Sequence, residues 1–75
     1  MITSIQVKMA RAALGWGVRD LGKRAGVSAN TISRFENDGG TTVETLRQIE
    51  QVLREEGIIF IEEDELAGPG VRVKK

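Results

Sequence analysis

Between Arg19 and Asn37 the chain gathers side chains suited to directed hydrogen bonding: Arg19, Lys23, Asn30, Ser33, Arg34 and Asn37. A guanidinium offers a planar fork of donors, an amide offers a donor beside an acceptor, and an ammonium acts as a compact point charge. This is the chemistry of recognition rather than of bond cleavage. The 75 residues include no His, Cys or Tyr. A catalytic centre would therefore need paired carboxylates or an activated Ser or Lys, in a pocket that so short a chain can hardly enclose. The clustered carboxylates, Glu62 to Glu65, fall in a turn with nothing to order them and read as a solvated surface. No enzymatic activity, cofactor or metal is expected, since the usual zinc and disulfide frameworks lack their ligands.

The elements that must position these residues are legible in the spacing. From Val18 to Asn37, Leu21, Ala25, Ile32 and Phe35 sit on the inner faces of two short helices joined by Ala25-Gly26-Val27-Ser28. Gly26 suits a reversal with φ > 0, and Ser28 offers a hydroxyl to the free amides of a helix running from Ala29 to about Asn37. With Ile32 and Phe35 inward, Ala29, Asn30, Ser33, Arg34 and Asn37 point outward, and Ser28 and Thr31 lie near the rim.

Upstream, a helix over Ser4 to Leu14, capped by Thr3 or Ser4, is expected to turn Ile5, Met9, Ala12, Ala13 and Trp16 inward, Trp16 filling a core gap. Downstream, Asp38-Gly39-Gly40 makes a turn. Thr41 and Glu44 then resemble a capping box for a helix from Val43 to about Glu56 with Val43, Leu46, Ile49, Val52 and Leu53 on one stripe. Ile58 to Ile61 reads as a strand. After the break at Gly68-Pro69-Gly70, Val71 to Lys74 reads as a second, edge-like one. An isolated hairpin is marginal in water, so it must pack on the helices or pair with another chain.

Net charge is zero, but it is unevenly placed. Residues 1–43 carry six basic and three acidic groups, net +3, and residues 44–75 carry five basic and eight acidic, net −3. A chain of this length has a thin core, burying only about 60% of its unfolded surface, and self-association is the supplement left open to it. With no membrane-length apolar run and no signal segment, a cytoplasmic location is expected. Two phosphate-loop look-alikes fail. Gly17 to Lys23 fits GxxxxGK, but Arg24 replaces the required Ser or Thr and no strand precedes it; Gly15-x-Gly17 lacks a strand and a third glycine.

The pattern Leu21, Gly22, Gly26, Val27, Ser28 and Ile32, with Arg11 in the first helix and Glu36 after the second apolar residue of the third, resembles the repressor/Cro-like (XRE-type) helix-turn-helix family of bacterial and phage transcription regulators. The likeness spans about Gln6 to Leu53. It implies a mainly α fold, a four-helix lambda-repressor-like domain over residues 1–57, with a C-terminal β extension over 58–75. It also implies that Ala29, Asn30 and Arg34 reach base edges of double-stranded DNA. Asn30 would suit adenine, Arg34 guanine, and Ala29 a thymine methyl.

Phosphate contacts are expected from Ser28, Thr31, Arg19, Lys23, Ser33 and Asn37, and a structural ion pair from Arg11 and Glu36. Gly17 and Val18 depart from the family's usual Ser or Thr cap followed by a phosphate-binding Gln; Arg19 and Lys23, on the exposed side of the second helix, either take over that contact as point charges or are ordinary solvated charges. Ile59, Phe60, Ile61, Val71 and Val73 in the hairpin are expected to form a homodimer interface, the dimer acting on an inverted repeat with promoter occlusion as the default. No small-molecule ligand is expected. The alternative from another class is an antitoxin or phage-type accessory protein, whose hairpin would meet a protein partner such as a toxin by strand addition.

Overall fold

Thr3 starts the first helix, α1 (Ser4–Leu14), through a reciprocal cap: its hydroxyl accepts from the Gln6 amide at 3.3 Å, and Gln6 Oε1 accepts from the Thr3 amide at 2.9 Å. In this computed structural model, which covers residues 1–75, three more helices follow: α2 (Val18–Ala25), α3 (Ala29–Asp38) and α4 (Val43–Glu55). The chain ends in β1 (Ile58–Ile61) and β2 (Gly70–Val73), an antiparallel pair with Ile58 opposite Val73 and Phe60 opposite Val71. The fold is thus mainly α with a small C-terminal sheet. None of its helices is long and apolar enough to cross a membrane.

One core serves both parts. Val7, Leu21, Ile32, Ile49 and Leu53 are completely buried among the helices, and Ile58 of β1 joins them. The hairpin is fastened by Gln6. This buried side chain donates from Nε2 to the carbonyl oxygens of Ile61, at 2.9 Å, and Gly70, at 3.0 Å. No buried side-chain polar atom is left without a partner. Helix α1 packs along β2 and α4 along β1, where the Arg54 guanidinium lies 5.2 Å from the centre of the Phe60 ring. At the hairpin turn, the Asp64 carboxylate accepts from the amides of Leu66 and Ala67, which holds its carboxyl below the usual Asp range. What those bonds contribute is fully present above that range and is lost as pH falls below it, through the lowered value.

The inward face of α1 differs from the one expected. Gln6, Val7 and Ala10 are buried and Leu14 packs on the core, whereas Ile5 and Met9 are 47% and 38% exposed and Ala12 and Ala13 are exposed too. The helix carries two apolar stripes on opposite sides, and polar partners elsewhere decide between them. Only this rotation lets Gln6 reach the hairpin and Arg11 reach α3. Apolar periodicity ignores both.

A smaller correction concerns α4. Thr42, not Thr41, caps it, accepting from the Thr45 amide at 3.1 Å, and Val43 in the first turn lies outside the core. The chain is still extended at Thr42, so the cap falls one residue later than the Thr41–Glu44 spacing suggested. Trp16 is half-buried against the core, beneath the Arg24 guanidinium at 4.9 Å.

Replacing Gln6 by Ala removes the one side chain that ties the helices to both strands. A loss of about 1–2 kcal/mol is expected, lowering the melting temperature by roughly 5–15 °C in a domain of this size. Hydrogen exchange should show the amides of β1 and β2 opening before those of α1 to α4.

Candidate functional site

The outward face of α2 and α3 is set by a glycine that permits close approach. A Cβ on Gly22 would stand 2.5 Å from the Val27 carbonyl oxygen, inside any real contact distance. Gly22 therefore lets α2 touch the turn that follows it, and its own carbonyl accepts from the Val27 amide at 3.0 Å. Gly26 makes the reversal in the left-handed region, at φ +70°. Ser28 is extended and caps α3, its Oγ accepting from the Thr31 amide at 3.1 Å and sharing a 2.8 Å hydrogen bond with Thr31 Oγ1.

The far end of α3 is held by charge. Arg11 of α1 donates from Nε and Nη2 to the two carboxylate oxygens of Glu36, both at 2.7 Å, and from Nη1 to the Trp16 carbonyl oxygen at 3.0 Å. The side chains are only 18% and 4% exposed. The hydrogen bonds to Glu36 raise the Arg11 pKa against the opposing effect of burial, so the guanidinium stays charged.

Between these two anchors the exposed residues fall into two adjoining shallow depressions. Arg19, Lys23 and Ala29 line the first, with Gly22, Gly26 and Val27. Asn30, Ser33, Arg34 and Asn37 line the second, with Asp38. Ser28 and Thr31 lie outside both, with their hydroxyls engaged in the helix cap. Arg19, Lys23 and Arg34 have no carboxylate partner, in contrast to Arg11, Arg24 and Arg54, which all do. Arg24 is drawn away from this face, stacked over Trp16 and paired with Glu56 at 3.2 Å.

Two features escaped the sequence reading. Asp20 accepts from the Gly17 amide at 2.8 Å, supplying the α2 cap that Gly17 cannot. Asp38 shares a depression with Arg34, and its position four residues on in the same helix was the available signal. Chemically, the face offers forks, amides and point charges to an acceptor-rich ligand. Nowhere do three metal-ligating side chains converge.

The helix-turn-helix family model matches residues 7–57, and the chain belongs to that family. It is also 35% identical, over 52 residues, to a protein of Archaeoglobus fulgidus named as an HTH-type transcriptional regulatory protein. That match covers 69% of this chain but spans only 17% of the relative's length. No solved structure gives a significant match.

Two substitutions test the anchors. Gly22→Ala forces α2 away from the turn and should cost about 1–3 kcal/mol. Arg11→Ala leaves the Glu36 carboxylate buried without its partner and should cost about 3–5 kcal/mol, whereas the paired change Arg11→Met with Glu36→Leu should cost far less. Urea denaturation of the single and paired variants measures the difference.

Proposed function

We propose that this chain is a sequence-specific DNA-binding transcription regulator that inserts α3 into the major groove. The observation that carries the reading is the pair of adjoining depressions on α2 and α3, lined by Arg19, Lys23 and Arg34 without carboxylate partners and by the exposed amides Asn30 and Asn37. Arg34 and Asn30 take the base edges as bidentate partners of guanine and adenine, and Ala29 meets a thymine methyl. Arg19 and Lys23 hold phosphates in place of the family's usual glutamine, with Ser33 and Asn37 beside them and Ser28 and Thr31 at the rim. The name of the archaeal relative supports a role in transcription.

The protein acts as a homodimer on an inverted repeat, its two recognition helices one helical turn of DNA apart, about 34 Å. Repression by occlusion of a promoter follows without a further domain. A second reading, as an antitoxin or phage-type accessory protein, is favoured by the exposed apolar side chains Ile59, Ile61 and Leu66 on the hairpin and its turn, a surface suited to a protein partner. The two activities are compatible on one chain.

Selection from a random duplex pool, followed by affinity measurement against salt, tests the DNA reading. An inverted repeat should be enriched. Arg34→Ala should lose about 1–3 kcal/mol on that site and relax its specificity. Lys23→Ala should weaken all duplexes alike and reduce the salt slope by about one. No enrichment at low salt would sink the reading and leave the protein-partner role.

A further inference from the structure

Asp38 sets a negative charge on the face that would meet a polyanion. It is exposed, ends α3 and lines the same depression as Asn30, Ser33, Arg34 and Asn37. Its carboxylate belongs to no ion pair, although Arg34 stands four residues before it on the same helix. Side chains at that spacing are neighbours, about 5–6 Å apart at Cβ, but base before acid is the weaker order for a helical pair. A negative charge in the last turn also opposes the helix dipole, and that turn holds no basic residue to offset it.

One oxygen has a structural role. Oδ1 accepts from the Gly40 amide at 2.7 Å and so fixes the turn that leaves α3. That bond needs an acceptor and not a charge, since an Asn at this position makes it too. Oδ2 accepts no hydrogen bond within the chain. The turn therefore explains the side chain's shape but leaves its charge and its second oxygen without a use.

We infer that Asp38 is a specificity-determining residue of this face, its free oxygen accepting from the N4 amino group of a cytosine one or two steps along the groove from the base that Arg34 reads. The inference rests on the DNA reading of the preceding section and extends its set of base contacts. A carboxylate is an acceptor only, and so are the phosphate oxygens, guanine N7 and O6 and thymine O4. In the major groove the donors are the amino groups of cytosine and adenine, and cytosine N4 is the usual carboxylate partner. Asp38 thus rejects more sequences than it accepts, which is discrimination by repulsion. The spacing agrees. Four residues of helix advance about 6 Å, which is one to two base pairs at about 3.4 Å each.

Selection from a random duplex pool with the parent chain, Arg34→Ala and Asp38→Asn tests the assignment. Asn keeps the acceptor for Gly40 and removes the charge, so circular dichroism should show all three chains equally folded. The position that Arg34→Ala relaxes marks the base Arg34 reads. The parent should enrich a cytosine one or two positions beyond it, and Asp38→Asn should lose that preference alone while binding random duplexes more tightly than the parent. Replacing this cytosine by thymine should weaken the parent by about fivefold to a hundredfold and leave Asp38→Asn nearly indifferent. If Asp38→Asn instead tightens every duplex by one common factor, the carboxylate meets phosphate and the assignment falls. If it relaxes the same position as Arg34→Ala, Asp38 supports Arg34 and reads no base, which overturns it too. An unchanged profile leaves only the turn bond to Gly40. In these three cases the parent's own enriched site stands and the DNA reading survives, whereas a parent that enriches no sequence overturns both.

Discussion

The forked ion pair between Arg11 and Glu36 is the interaction on which the geometry of the outward face depends. A single guanidinium binds two carboxylate oxygens in the last turns of α3 and the carbonyl of Trp16 at the junction of α1 and α2. The end of α3 is thereby held, through one planar group, to α1 and to the junction that follows it. Burying such a pair returns little net stability, because desolvation offsets most of the attraction. What it gives is register, since bidentate geometry fixes direction as well as distance. It also balances the charge of the buried Glu36 carboxylate.

The other end of α3 is governed by steric fit. Contact between α2 and the following turn at Gly22 leaves no room for a side chain, and the left-handed Gly26 completes the reversal within a few residues. Together with the Ser28 cap, these constraints leave α3 little freedom to tilt against α2. Side chains on rigid helices present their donors with less entropy to lose on binding than side chains on a loop. The exposed amides and cations are therefore held in place by the backbone turn and cap between the two helices.

The C-terminal hairpin solves a different problem. Four short helices in 57 residues enclose a thin core, and Ile58 adds to it at the base of α4. Gln6 then joins the two halves of the chain, since the amide that completes the α1 cap also reaches both strands at the turn end of the hairpin. A buried amide with every polar atom bonded specifies one arrangement strongly, because any other leaves those groups unsatisfied. This choice also turns Ile5 and Met9 outward.

Much of the fold was legible because it rests on local chemistry. The helix limits of α1, the reversal at Gly26, the Ser28 cap and the inward positions Leu21, Ala25, Ile32 and Phe35 all follow from propensity, capping and periodicity within a few residues. So did the outward set on α3, as the complement of its buried residues. The sequence by itself also determined the two charge halves and the absence of the side chains that most catalytic and metal sites require. Other features depended on partners far along the chain. The rotation of α1 was set by Gln6 meeting strands more than fifty residues away, and periodicity cannot choose between two apolar stripes without knowing those partners. Likewise, only the tertiary structure withdrew Arg24 toward Trp16 and Glu56, left Arg19, Lys23 and Arg34 outside any ion pair and placed Asp38 in the depression that Arg34 lines. Charge pairing is a matter of distances through space, and these are decided when the helices pack.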